Sequence, residues 1–471
     1  MKYLLIITTI STILLGSSFK LPDTGQEVCY DNYKEIECPS VGEAFYGQDA
    51  NYVSNPMRYR DNGDGTITDL NTNLIWTKAV DSKKLSLQEA QREAKGLKVG
   101  GYSDWRVPNI KELYSLMDFR GYTGFNGRDM SSIPSNAKPF IYSEYFDFRY
   151  GDTSSGERYI DAQWLTSTKY VSTTMNNMET LFGVNFADGR IKGYGYKKAG
   201  TDSDKKKFFV RYVRGGNGYG ENSFVDNKDG TITDEATNLV WMKSDSKKPM
   251  DWEEALSYCQ SLELGGRSDW RLPDAKELQY IVDYSRSPDT TDSAAIDPIF
   301  EISTITNEAG VKDYPYFWSS TTHLDGPDPG KSAVYLSFGR ALGEMRGRVM
   351  DVHGAGAQRS DPKIGSSAFR GPQGDAVRSQ NYVRCVSGGA ISAKNISTDR
   401  DSTDTTKTIK PTPSKKDSNT HPFILREDKD GDGRVSKDEF GGPKEHFFMF
   451  DKNRDGYIEA SEAPKGPPPK R

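Results

Sequence analysis

Followed by where its apolar residues fall, the chain spells out the same succession of elements twice. From Asp61 it runs D-N-G-D-G-T-I-T-D-L-N-T-N-L-I-W-T-K, where T-I-T-D and N-L-I-W alternate or run apolar around a turn, which predicts a strand pair. Two helix starts follow. Ser86 with Glu89, and Asn109 with Glu112, stand at the spacing at which a cap oxygen and an N3 carboxylate satisfy each other's free amides. Behind the second cap, Leu113, Leu116 and Met117 fall at i, i+3 and i+4, the spacing of one buried helix face.

From Asp226 the pattern returns as D-N-K-D-G-T-I-T-D-E-A-T-N-L-V-W-M-K, residue 226 answering residue 61 at an offset of 165. The offset holds without a gap from G-Y-S-D-W-R-V-P (101–108) to G-R-S-D-W-R-L-P (266–273), and the caps recur as Asp251 with Glu254 and Asp274 with Glu277. The helix face recurs as Leu278, Ile281 and Val282. Later the loops differ in length, yet Trp164 answers Trp318, and F-V-R-Y-V-R-G-G from Phe209 answers Y-V-R-C-V-S-G-G from Tyr382. Two globular repeats are expected, 56–216 and 221–389, each large enough for its own core. The period is far too long for a solenoid. Each repeat should be an α+β domain with two helices, a small sheet and long loops, closing on strands such as A-V-Y-L-S-F and N-Y-V-R-C-V.

The ends carry different signals. Residues 1–18 begin with one lysine, continue with an apolar run over 3–15 and finish on Gly16, Ser17 and Ser18, which reads as a secretory signal peptide. No later segment approaches the roughly 18 apolar residues a membrane helix needs. No cysteine follows the run, which argues against a lipid anchor; an uncleaved anchor is the alternative. The expected location is outside the cytoplasm: periplasm, cell surface or extracellular. Four cysteines fit that setting. Cys29 and Cys38 bracket a short loop in the N-terminal segment 19–55, while Cys259 and Cys385 have Ala94 and Tyr212 as counterparts in the first repeat. Joint absence of both partners suggests a Cys259–Cys385 bond, with Cys29–Cys38 as the second; two free buried thiols are the alternative.

With 62 basic and 67 acidic residues the formal charge is -5, and no long run of one sign argues for nucleic acid. The stretch 390–420, rich in Ser, Thr, Asp and Lys, reads as a disordered linker. Beyond it, 421–464 holds two twelve-residue loops with the ligand spacing of EF-hands, ahead of a Pro-rich tail at 465–471. Calcium takes six to eight oxygens, supplied by loop positions 1, 3, 5, 9 and 12 and by the carbonyl of position 7. The first loop offers Asp428, Asp430, Asp432, Ser436 and Glu439 with the carbonyl of Arg434; the second offers Asp451, Asn453, Asp455, Glu459 and Glu462 with that of Tyr457. Gly433 and Gly456 stand at position 6, where the backbone turns sharply, and Val435 and Ile458 at position 8, where paired loops join through a short strand contact. Short flanks make Phe440, Phe447, Phe448 and Phe450 a small private core rather than a target groove. D-N-G-D-G and D-N-K-D-G are not EF-hands, because Thr72 and Thr237 fall where the bidentate glutamate belongs. They read as hairpin turns, with a different kind of calcium turn as the alternative.

L-P-D-T-G-Q-E-V-C-Y-D at 21–31, D-G-T-I-T-D, S-D-W-R-L-P-x-x-K-E-L and the W-S-S-T that begins at Trp318 together resemble the bacterial Lcl C-terminal domain family over roughly residues 21 to 389. The resemblance implies two tandem C-type-lectin-like domains, export and, in some members, adhesion to glycosaminoglycans or other surface ligands. With the C-terminal segment, the expected fold is α+β: two such domains and a small all-α EF-hand pair. The E-P-N and W-N-D triplets of calcium-dependent sugar binding are absent, so no sugar-binding calcium site is carried over. Trp105, Arg106, Trp270 and Arg271 either line a binding surface or form a buried aromatic beside a structural arginine.

An enzyme is not expected. His323, His353, His421 and His446 show no metal-ligand spacing, and no nucleophile elbow, phosphate loop or dinucleotide fingerprint occurs. The expectation is an exported calcium-binding protein that holds a glycan or surface-protein ligand. A calcium-stabilised scaffold without a glycan ligand is the second reading, and an enzyme of formylglycine-generating type the third.

Overall fold

The computed structural model describes residues 19–393 except 128, 202–205, 217, 366, 367 and 372, and toward the C-terminus 422–427, 434–437, 439–442, 444–452, 457–459, 462 and 463. The expected signal peptide, most of the linker and the Pro-rich tail lie outside the described residues. The chain divides into two compact units, Met1–Ser402 and Thr403–Arg471.

The first unit is mostly β with a few short helices. The predicted strand pairs form in both copies with the same register: Thr66–Asp69 pairs Leu74–Thr77 with Ile67 opposite Trp76, and Thr231–Asp234 pairs Leu239–Met242 with Ile232 opposite Trp241. All four helices begin where their caps predict. Helices α1 (Leu87–Gly96), α2 (Ile110–Tyr114), α3 (Trp252–Gln260) and α4 (Ala275–Tyr280) each have both hydrogen bonds of the capping box in place. The second helix of each copy is shorter than its apolar spacing suggests. After Tyr114 the N–H groups of Leu116 and Met117 reach back only three residues, and Met117 then bridges to Ile141, as Val282 does to Ile296. Leu116 and Met117 are therefore buried from a turn, because a bridge to a later segment takes the chain off the helix axis.

Both cystines form as expected, Cys29–Cys38 and Cys259–Cys385. In the first copy Ala94 and Tyr212 fill the second site, both buried, the tyrosine hydroxyl 3.4 Å from the Ala90 carbonyl.

The copies do not pack apart. Each keeps a cluster of its own, around Leu87, Trp105 and Phe208 in the first and around Trp252, Trp270 and Trp318 in the second. A third and larger cluster joins Trp76, Trp164 and Phe186 to Trp241, Ile281 and Leu336. A six-stranded sheet also crosses the boundary, in the order Tyr316–His323, Ser332–Ser337, Gln358–Pro362, Arg190–Lys198, Met178–Asn185, Gln163–Thr174, with Gln358 opposite Ile191 at the seam. The N-terminal segment ties the two together: Gln26 donates to the Thr322 carbonyl and accepts from its N–H, both at 2.8 Å. The second copy also extends past 389, since Ile391–Ser392 pairs with Tyr52–Val53.

The structure corrects one correspondence. Leu165 and Trp318 both donate their N–H to the closing strand, at Phe209 and Tyr382, so Trp164 answers Phe317 rather than Trp318. The rings agree, Trp164 lying over Arg211 and Phe317 over Arg384. His323 accordingly answers Tyr170.

In the second unit, α5 (Pro422–Glu427) and α6 (Lys444–Phe450) flank a two-stranded sheet of Val435–Ser436 and Tyr457–Ile458. Phe423, Ile424, Val435, Phe447 and Ile458 are buried together, with Phe440 and Phe450 packed against them.

Candidate functional site

The aspartate-rich turns of the first unit are closed by their own donors. Asp61 accepts the Gly63 N–H, Asn62 donates to the hydroxyls of Thr66 and Thr68, and Asp64 takes both the N–H and the hydroxyl of Thr66. Asp226, Asn227 and Asp229 repeat this, and the amines of Lys78 and Lys243 sit on Asp61 and Asp226 at 2.5 and 2.9 Å. These are hairpin turns. Among the described residues no three metal-ligating side chains converge.

The S-D-W-R element is internal as well. Trp105 and Trp270 are buried. Arg106 grips Glu112 with two bonds of 2.7 and 2.5 Å, and Arg271 grips Glu277 with two of 2.6 Å. The same carboxylates take the N–H of Asn109 and Asp274, so one side chain fixes both the arginine and the helix start. Arg211 and Arg384, which sequence inspection passed over, are buried and, among the described residues, pair with no carboxylate. Arg384 donates to the carbonyls of Met242, Lys243 and Glu301, and Arg211 to those of Thr77, Lys78 and Asp147. Their signal was available, since both stand at matched positions of the repeats.

That matching exposes a difference between the copies. In the second, Ser303 donates its N–H and hydroxyl to Asp245. In the first, the corresponding positions are Arg149 and Val80, and they border an open groove of about 500 Å³ with Ser143, Phe146 and Phe148. Arg149 and Ser143 are exposed, Phe148 is half-buried and Phe146 is buried. An exposed arginine and phenylalanines lining one open groove suit an anionic ring-shaped ligand.

Two histidines are buried in the six-stranded sheet and its surroundings. His323 Nδ1 is 2.7 Å from the Ser360 hydroxyl, which also receives Arg190, and His353 Nε2 is 3.0 Å from Asp375. Burial brings their pKa values down to about 3 and about 4. His446 is exposed in the second unit, and His421 lies outside the described residues. Asp351 is a buried carboxyl that accepts from Tyr170 and Gly354, and burial pushes its pKa up to about 7. A raised folded pKa favours the folded state fully below the unfolded value near 4, and this advantage is lost as pH rises through 7. Asp351→Asn mimics the protonated form, so its stability relative to the wild type should climb between pH 4 and pH 8. Urea melts of both proteins across that range check the sign.

Seven of the twelve residues expected to hold calcium are described; Asp428, Asp430, Asp432, Asn453 and Asp455 lie outside the described residues. Val435 stands opposite Ile458 and Ser436 opposite Tyr457. The guanidinium of Arg434 lies 4.1 Å over the Tyr457 ring. Glu439 accepts the N–H and hydroxyl of Ser436 at 2.8 and 2.7 Å, and Glu462 accepts the N–H of Lys452 at 2.9 Å and of Glu459 at 3.3 Å. Asp451, Glu439 and Glu462 are buried, while Glu459 is half-buried. Carboxylates drawn out of water call for donors or a cation around them, so this donor set fits a hard cation.

Among known families, the model of the Lcl C-terminal domain matches residues 65–214 and 230–352. No curated protein and no solved structure matches the chain.

Proposed function

Because the chain belongs to the Lcl C-terminal domain family and carries that domain twice, we propose that it is an exported calcium-binding protein whose paired lectin-like domains hold a surface ligand. Two disulfides are compatible with export, and among the described residues no helix is long and apolar enough to cross a membrane. The two-helix, small-sheet, long-loop build of each copy supports a C-type-lectin-like reading. The ligand favoured by the open groove at Arg149 is an anionic glycan, held without a calcium bridge.

The calcium reading rests on one observation above all, the pairing of Val435 with Ile458. These are position 8 of the two loops, and they face each other while the position-12 carboxylates, Glu439 and Glu462, turn inward. Glu439 and Asp451, with Ser436, Glu459 and Glu462 and the carbonyls of Arg434 and Tyr457, would hold the ion alongside the five acidic and amide residues of the loop starts. Calcium there supplies charge neutralisation and cross-linking of each loop. Extracellular modules bind at about 0.1–1 mM. At about 1 mM calcium and a dissociation constant of about 0.1 mM, each site adds about 1.4 kcal/mol to the second unit. A 415–471 fragment should gain helical far-UV signal and melting temperature on calcium titration, and Glu439→Gln with Glu462→Gln should remove both gains. Identical melts with calcium and with chelator would sink the reading.

A further inference from the structure

The repeat was copied without the segment that precedes it. Residues 19–55 come before the first copy, whereas only residues 217–220 separate the end of the first copy at Gly216 from the start of the second. Where residues 21–26 lie has therefore two versions in the molecule, related by the repeat, and only the first has its own segment to fill it.

In the filled version, α4 of the second copy faces the turn after α2 of the first. The Lys276 amine donates to the carbonyls of Asp23 and Ser115 at 2.7 and 3.0 Å, and burial lowers its pKa to about 8. Phe119 donates its N–H to the Thr24 carbonyl at 2.9 Å. The Thr24 and Thr321 hydroxyls meet on Asp49, and Gly25 sits so close to Asp118, Arg120 and Met57 that a Cβ there would fall within about 3 Å of each. Residues 21–26 thus lie as an irregular segment that turns at Gly25 and is held through its main-chain carbonyls and N–H groups.

Applying the offset of 165 turns Lys276 into Lys111, Phe119 into Tyr284, Asp118 into Asp283 and Arg120 into Ser285. Thr168 answers Thr321, each accepting the first N–H of the neighbouring helix, from Ile110 and Ala275. Lys111, Thr168, Asp283 and Tyr284 line a groove of about 440 Å³ between the copies, with Phe224, Ile281 and Ile299 as its apolar side. The Lys111 amine is turned onto the Gly220 carbonyl and Asn222 side chain, each at 2.9 Å. Among the described residues the Tyr284 N–H, the counterpart of the one that holds Thr24, has no acceptor. The charge also differs. Asp118 is bound by Arg120 at 2.8 Å, whereas Asp283 has Ser285 in that place, and Asp297 adds a second carboxylate to the wall.

We propose that this second groove docks a basic peptide segment of a partner protein, lying as residues 21–26 lie in the first. Tyr284 N–H donates to a main-chain carbonyl of the peptide, and a cationic side chain takes the place beside Asp283 that Arg120 takes beside Asp118. Main-chain pairing gives such docking its affinity and the charge its selectivity. The inference stands apart from both the glycan and the calcium readings.

The test uses the full chain and two fluorescent peptides, F-K-L-P-D-T-G-Q-E and the same peptide with arginine replacing its last two residues. The expected result is saturable binding of the arginine peptide, about tenfold tighter than the other. Asp283→Asn should erase that preference, and Ile299→Trp, which fills the groove, should remove binding while circular dichroism stays unchanged. No saturation up to about 1 mM, equal affinity for the two peptides, or full binding by both variants would overturn the proposal. So would sedimentation showing a dimer that excludes the peptide, which would assign the groove to a second copy of the chain.

Discussion

Arg271→Ala is expected to destabilise the first unit by about 3–5 kcal/mol, the range for breaking a buried ion pair from one side. The same change in the other copy, Arg106→Ala, should cost about 1–2 kcal/mol. Both arginines make a two-bond grip on a buried glutamate, but the Arg271 side chain is 5% exposed and the Arg106 side chain 43%. Water can replace Arg106 at Glu112. At Glu277 it cannot, and the stranded carboxylate would stand near Asp274 and Asp49, whose pKa values burial and mutual repulsion already raise, that of Asp49 to about 7. Urea unfolding of the two variants measures the gap, and equal losses would mean that burial does not separate the pairs.

Removing the Cys259–Cys385 bond is the second large effect. Its ends are 126 residues apart, and Cys259→Ala with Cys385→Ala should cost about 2–5 kcal/mol under oxidising conditions. The first copy supplies its own control. There the same place is filled by Ala94 and Tyr212, so Cys259→Ala with Cys385→Tyr should recover part of the loss through packing alone. A loss below about 1 kcal/mol for the double alanine variant would show that the strand at Val386–Ser387 is held by its pairing rather than by the bond.

Short-range features were legible in the chain because their causes are local. Four capping boxes, two hairpins and their register each depend on residues within a few positions of one another. The second cystine was also readable, since duplication turns the joint absence of Cys259 and Cys385 from the first copy into a spatial statement. The shared core was not readable. Strand Arg190–Lys198 meets Gln358–Pro362 at one residue pair, and Gln26 finds the Thr322 backbone 296 residues away. Neither leaves a periodic trace. Trp164 misled for a related reason: a tryptophan occurs in both W-L-T-S-T and F-W-S-S-T, one residue out of register, and the pairing with the closing strand and the ring over Arg211 or Arg384 identify the true partners. Lys111 and Lys276 were visible in K-E-L, but nothing local indicates that each reaches a carbonyl near the copy boundary.

The most direct test of the central claim is binding to a panel of sulfated and uncharged glycans, with calcium and with chelator. Three proteins are compared: residues 19–471, residues 19–402, which retain the Ile391–Ser392 strand, and 19–471 with Arg149→Ala. Saturable binding of sulfated glycans by the first two, unaffected by chelator and weakened about tenfold or more by Arg149→Ala, is the predicted result. No saturable binding by any of them, or binding that Arg149→Ala leaves untouched, would contradict the account.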